Sequence, residues 1–335
     1  MSLPVLICCF NRPQNTKEVL QAVKKYGPAK LYVSCDGPRP ETSDTHKVAE
    51  VHALFKEEGG KYKILKRFSQ NNLGCASAVA SGLKWFFENE AQGIVLEDDT
   101  VPEPEFFEFC EYHLEKNRNN SEIQGVSGNF LLQPELIKYH PEPATLTRYF
   151  FCWGWASWAD RMGEFSLSSD RWSDKEFDAC QETQKVGAFE KDFWKTRFQL
   201  AYQDRYPGWA TKMLHQSWVA NRKWIVPNRD LVVNVGFGED STNTKGGAFS
   251  FLLENEALFQ KANEQERSLV QDEVQELLRF QFIFNKDWAG VGNTIAETEF
   301  YKRMISYKKQ VYELQAIVNS PLKWIKYQLY RLKGK

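Results

Sequence analysis

Three carboxylates stand in a row at Glu97, Asp98 and Asp99, directly after the apolar run Ile94–Leu96. Adjacent like charges repel, and holding them beside a core is costly unless something neutralises them. On an extended chain the side chains alternate faces, so Glu97 and Asp99 share one face and Asp98 takes the other. Where a strand ends in a turn, two of the three can converge on one ion. A hard divalent cation such as Mg2+ or Mn2+ prefers oxygen ligands and keeps positions open for substrate phosphates. It would relieve the repulsion and neutralise charge growing on a departing diphosphate. A solvated acidic turn is the plainer alternative, and the buried run before the triplet weighs against it.

The elements around the triplet are those of an α/β protein. Leu3–Phe10, Lys30–Cys35, Tyr62–Leu65 and Gly93–Leu96 read as short strands. Between them, Thr16–Tyr26, Thr45–Glu58 and Ala76–Asn89 have helical spacing, and Glu105–Lys116 follows Pro102 and Pro104 as a further helix. Such alternation implies a parallel sheet covered by helices, with ligands at the carboxyl ends of the strands. Those ends carry "FNRP" (Phe10–Pro13), "CDGPR" (Cys35–Arg39) and the acidic triplet. From about Gly125 to Thr244 the pattern is less regular, and from Phe251 onward it is helical and highly charged.

The chain has 335 residues, with 42% hydrophobic and 26% charged, enough for a sizeable core. A formal net charge of −1 excludes a broadly basic nucleic-acid binder. Seven scattered cysteines, an odd number without a C-x-x-C pair, suit a reduced intracellular protein. No leader of the secretory type and no apolar run near the ~20 residues of a membrane span is visible, so a cytoplasmic location is expected.

"PVLICCFNRP", "LYVSCDGPR", "NNLGCASAVASGLKWFFEN" and "GIVLEDDTVPEPEFF" follow one another in order. Together they resemble the GT-A glycosyltransferases, above all the N-acetylglucosaminyltransferase I type and its bacterial relatives, and "EDD" looks like their D-x-D-type motif. "RYFFCWGWASW" and "VPNRDLVVNVGFGEDST" fall where that group has acceptor-half motifs, so the resemblance covers about residues 3–245. It implies a Rossmann-like, mostly parallel sheet flanked by helices, with a helical C-terminal extension. The expected divisions are a donor half (1–125), an acceptor half of the same domain (126–250) and a helical region (251–335). The implied activity is metal-dependent, inverting transfer of a sugar, an N-acetylhexosamine among the candidates, from a UDP-sugar to a glycan such as a bacterial surface polysaccharide or a lipid-linked glycan.

Carried over by position, the resemblance implies that Phe10, Asn11 and Arg12 line the nucleotide pocket, with Arg12 near the diphosphate or base. Asp36 would bond the uracil or its ribose, and Asn72 and Gly74 would lie beside the nucleotide. Asp99 would bind Mn2+ or Mg2+, with Glu97 and Asp98 contacting ribose and donor sugar. Inverting transfer also needs a general base. In the resembled group an Asp lies one or two residues before a Trp. Aligning that Trp with Trp209 puts Pro207 and Gly208 where the acid belongs, so the sequence departs from the pattern. Asp204 is the nearest carboxylate, and Glu239 and Asp240 are the alternatives. Trp153 and Trp155 offer indole faces for an acceptor sugar, and Gly154 would let the loop pack tightly against a ligand, with core packing as the alternative.

Two rival readings stay open. A glycan- or nucleotide-binding pseudoenzyme fits the displaced base. A sugar nucleotidyltransferase would need a Gly-rich phosphate loop where "FNRPQNT" stands. The closing "SPLKWIKYQLYRLKGK" is basic and aromatic, which suits peripheral contact with the inner face of a membrane.

Overall fold

A strand buried along its whole length needs cover on both faces, and Val5–Cys9 (β1) is such a strand. The computed structural model describes residues 2–40, 44–56, 62–129, 143–184, 188–204 and 208–236. Lys30–Cys35 (β2), Lys63–Phe68 (β3) and Gln92–Glu97 (β4) join β1 in the order β3-β2-β1-β4, all parallel. Three helices connect them: Pro13–Tyr26 (α1), Asp44–Leu54 (α2) and Cys75–Asn89 (α3). The α/β class and the mostly parallel sheet read from the sequence are therefore present.

Local chemistry sets these boundaries. Helix α1 opens at Pro13, earlier than hydrophobic spacing alone indicates, because a proline at the first helical position loses no hydrogen bond. It closes at Gly27 in a left-handed conformation (φ 68°), whose N–H bonds Val23 O at 3.0 Å. Thr16, Val19, Leu20 and Val23 form its buried stripe. On α3 the buried stripe is Val79, Gly82, Leu83, Phe86 and Phe87. Full burial of a side chain such as Phe86 contributes about 2–3 kcal/mol.

The irregular middle of the sequence completes the same sheet. After Thr100–Pro102 (β5) and helix Pro104–Lys116 (α4) come Ile123–Ser127 (β6), Ala144–Thr147 (β7) and Trp155–Trp158 (β8). Short helices Ala159–Met162 (α5), Asp174–Gln184 (α6), Ala188–Tyr202 (α7) and Trp209–Val219 (α8) precede Lys223–Pro227 (β9) and Val232–Asn234 (β10). The full order is β3-β2-β1-β4-β8-β6-β9-β7, with β8 antiparallel to both neighbours and β7 antiparallel to β9. Strand β10 pairs antiparallel with β5 in a separate ribbon.

The chain divides into two units. The larger comprises Met1–Leu131, His140–Val186 and Arg197–Thr244 and carries the sheet. The smaller comprises Leu132–Tyr139, Gly187–Thr196 and Lys245–Lys335 and lies mostly outside the described residues, as do the expected helical region and basic tail. No helix among the described residues is long and apolar enough to cross a membrane. All seven cysteines are free thiols.

The connections place a crevice. From β1 the chain passes through α1 to β2 on one side, whereas α3 leads to β4 on the other side of β1. At such a switch point the loops diverge, leaving space outside the carboxyl ends of β1 and β4. Phe10–Arg12 and Glu97–Asp99 stand at those two ends.

Candidate functional site

The acidic tip is shaped by a turn. The Thr100 hydroxyl accepts from Glu97 N–H at 2.9 Å and donates to Glu97 O at 3.0 Å, closing the chain immediately after β4. Asp98 and Asp99 are thereby carried toward the end of β1. Asp98 Oδ2 accepts from Phe10 N–H at 2.9 Å, tying the two strand ends together. The Arg12 guanidinium sits between the carboxylates, with Nη1 2.6 Å from Asp99 Oδ2 and 3.3 Å from Asp98 Oδ1. Burial and the Asp99 charge push the Asp98 carboxyl up to about 6, against the opposing pull of Arg12 and Phe10 N–H. Glu97, half-buried as the last residue of β4, is in register with Cys8 of β1.

The residues after β10 close over this tip. Val235 N–H bonds Asp99 O at 2.8 Å, and Asn15 Nδ2 donates to Val235 O at 3.3 Å. A side chain at Gly236 would place its Cβ 2.2 Å from Asp99 Oδ2, so the backbone passes close against that carboxylate and a larger residue would push the Asp99 side chain aside. Glycine spacing in "NVGFG" is the sequence signal that could have revealed this contact.

Asp36 organises the neighbouring loops. Its Oδ1 accepts from Gly37 N–H at 2.9 Å and Leu73 N–H at 2.8 Å; its Oδ2 accepts from Gly74 N–H at 3.1 Å and Asn72 Nδ2 at 3.0 Å. A carboxylate has about four acceptor positions, and these four donors fill them. The loop entering α3 is thus held on the end of β2, with Asn72 and Gly74 beside Asp36. Asn11 donates to the buried Asp44 at 2.6 Å, and Arg39 bonds the same carboxylate at 2.5 Å while lying over the Phe10 ring. Nothing in "CDGPRPETSD" marks Arg39 and Asp44 as a pair, so the sequence alone does not reveal their contact.

The tryptophan platform needs correction. Trp155 is fully buried in β8, packed among Phe150, Trp209 and Trp224 at 5.4–6.2 Å, with no face left for a sugar. Gly154 is buried with φ 74°, and its carbonyl accepts from Gly128 N–H at 2.8 Å. Trp153 is partly exposed. Periodicity could not separate Trp153 from Trp155, since the strand begins at Trp155 and leaves Trp153 in the preceding loop. Two buried acceptors at the end of β6, Ser127 Oγ and Asn129 Oδ1, lack a hydrogen-bond partner among the described residues.

Asp204 follows α7 in a left-handed conformation (φ 54°) with a strongly exposed side chain. Its carboxylate pairs with the buried Lys212 Nζ at 3.1 Å, and among the described residues it bonds nothing at the acidic tip. Glu239 and Asp240 lie outside the described residues.

Oxygen donors of the kind a hard cation prefers stand at this tip, with both Asp98 oxygens engaged by Phe10 N–H and Arg12. Asp98 and Asp99 already grip a positive group, and the Gly236 backbone lies against Asp99 Oδ2. Among the described residues no group of three His, Cys, Asp or Glu could enclose a metal alone. A pair of carboxylates suffices where substrate phosphates complete the coordination.

No protein-family model matches the sequence, and no curated protein matches it. Among solved structures, the chain is similar to the mannosyltransferase PcManGT from Pyrobaculum calidifontis, solved with GDP-Man and Mn2+. The identity is 14%, 65% of this chain and 70% of that chain are covered, and the TM-score is 0.35.

Proposed function

We propose that this chain is a glycosyltransferase that takes a sugar from a nucleoside-diphosphate sugar and passes it to a glycan hydroxyl. The observation that carries this reading is the Asp98–Arg12–Asp99 arrangement at the switch point of a parallel sheet. A diphosphate at a strand-end crevice needs positive charge, and Arg12 supplies it from one wall. A divalent cation on Asp99 would add charge for the departing diphosphate.

In inverting transfer the acceptor hydroxyl loses its proton to a base, its oxygen bonds the sugar C1, and the C1–O bond to the diphosphate breaks. We assign the base to Glu239 or Asp240 ahead of Asp204, whose carboxylate is engaged by Lys212. Their segment follows Gly236, which lies against Asp99. Asp36 acts as a positioning residue: it presents the Asn72–Gly74 backbone and does not itself read the base. A UDP-sugar carrying an N-acetylhexosamine remains the proposed donor on sequence resemblance, and a bacterial surface or lipid-linked glycan the proposed acceptor.

The test is a hydrolysis and transfer screen over UDP- and GDP-sugars with Mn2+, run on wild type and Asp99→Asn. Turnover of one donor that Asp99→Asn abolishes supports the reading. Absence of turnover, with nucleoside diphosphates still bound, would leave the binding-only pseudoenzyme.

A further inference from the structure

On the β2 flank of the crevice a second buried carboxylate sets the side chains. Asp44, the first residue of α2, is 3% exposed and receives the Arg39 fork, Nε at 2.5 Å from Oδ2 and Nη2 at 3.1 Å from Oδ1. Its Oδ1 also accepts from Asn11 Nδ2 at 2.6 Å. One carboxylate thus fixes the loop after β1, through Asn11, and the loop after β2, through Arg39. The guanidinium is set over the Phe10 ring, 5.5 Å from its centroid, while the Arg39 side chain keeps 52% exposure. The loop before α3 lies against the loop after β2: a Cβ on Gly37 would stand 2.5 Å from the Asn71 carbonyl carbon, and Asn72 Nδ2 donates to Gly37 O at 2.8 Å. Leu73 follows, its N–H pinned to Asp36 and its side chain exposed.

We propose that Arg39 and Leu73 form the slot for the nucleobase, with Asp44 as the residue that positions Arg39. This rests on the functional reading above and names where the nucleoside lies. The sugar and the nucleoside leave a diphosphate in opposite directions. From the β1–β4 crevice one direction runs toward β8 and the other toward β2. Toward β2 stand an aromatic ring, a planar cation and an apolar side chain, all on backbone that buried carboxylates hold in place. Bases stack on guanidinium planes as they do on rings. Asp44 already matches the Arg39 charge, so what Arg39 offers a ligand is its plane. An arginine gripped by a carboxylate also loses little freedom when a base covers it. Phe10, Arg39 and the base then form one continued stack, with Leu73 covering the base from the α3 side. Asp36, whose four acceptor positions are filled, leaves the base to be held in this way.

The measurement is calorimetric titration of the full chain with UDP and with pyrophosphate under identical conditions. Wild type is expected to bind UDP at least about tenfold tighter than pyrophosphate. Arg39→Ala should weaken UDP by about 5- to 150-fold, the range that one stacked base gives, and leave pyrophosphate unchanged. Arg39→Lys, which keeps the charge and loses the plane, should not restore UDP. Leu73→Ser should weaken UDP about fivefold, the scale of covering half a leucine. Asp44→Asn should likewise weaken UDP alone, and added to Arg39→Ala it should cost little more, because it acts through that arginine. Arg39 and Leu73 are half exposed, so their variants decide the matter even where Asp44→Asn does not fold. Arg39→Ala that weakens both ligands equally or neither, or restoration of UDP by Arg39→Lys, overturns the slot and leaves the diphosphate site standing. A wild type that binds pyrophosphate as tightly as UDP does the same. Absence of binding of both ligands by wild type overturns the functional reading with it.

Discussion

Asp36→Asn isolates what the buried carboxylate at the end of β2 contributes. The substitution keeps the shape and replaces one oxygen by NH2. Either orientation of the amide sets that NH2 against two donors, Gly37 and Leu73 N–H on one side or Gly74 N–H and Asn72 Nδ2 on the other. Two charge-assisted bonds are lost at about 1.5–3 kcal/mol each, or about 3–6 kcal/mol together. The asparagine can escape this cost by releasing the Asn72–Gly74 loop, since Leu73 is already 46% exposed and the sheet beneath does not depend on it. The expectation is local opening: hydrogen exchange at the Leu73 or Gly74 amide faster by at least about 150-fold, up to the unprotected rate, with β1 and β4 amides unchanged. On the proposed positioning role, in which the loop meets the ligand, nucleoside diphosphate affinity should fall in parallel. Unchanged exchange at both amides with weakened nucleotide binding would refute the positioning role and return Asp36 to direct contact.

Three further outcomes are expected. Trp155→Ala should destabilise the fold by about 3–5 kcal/mol in urea denaturation, as removal of a fully buried indole does, whereas Trp153→Ala should leave the midpoint nearly unchanged and raise the acceptor KM; equal midpoints would restore Trp155 to the surface. His215 is buried beside Trp172 and Phe198, and burial followed by the Arg171 charge lowers its pKa to about 3. The unfolded chain then takes up this proton near 6.5 and the folded chain does not. Stability is thus complete above that pH and declines on acidification by about 1.4 kcal/mol per unit for this site; a pH 4.5–6.5 stability profile that His215→Gln leaves unflattened would contradict it. Gly236→Ala should cut Mn2+ affinity in the presence of diphosphate at least about tenfold, roughly 1.4 kcal/mol, with little change in Tm, because its Cβ meets Asp99 Oδ2 at 2.2 Å.

Local signals were legible where one element decides its own state. Lys30–Cys35 was bounded to the residue, since "DGPRP" ends the strand by turn chemistry alone, and the α3 stripe followed from spacing. The carboxyl-end placement of "FNRP", "CDGPR" and the acidic triplet followed from strand–helix alternation. The middle was not legible for a physical reason. Strand β8 is short, and its "WASW" reads as either element until β4 and β6 are known to flank it. Long-range pairing likewise hides roles within motifs that composition does find. The triplet could be seen, but not that Thr100 turns it, that Phe10 N–H claims one carboxylate, or that Gly236 covers another.

The carboxylates at these strand ends divide their work, and the division follows from what else each one touches. Asp36 and Asp98 are buried and bonded to backbone N–H groups, so their charge is spent on joining β2 to the α3 loop and β1 to β4. Removing either would leave orphan donors inside the protein, a structural loss before any functional one. Asp99 differs. Its side-chain contact is with another side chain, Arg12, and side chains can move without unmaking the fold. A site that must accept and release a charged ligand needs that freedom at one position and rigidity at the positions beside it. On this argument Asp99 and Arg12 are the pair whose substitution should change ligand binding while leaving the sheet intact.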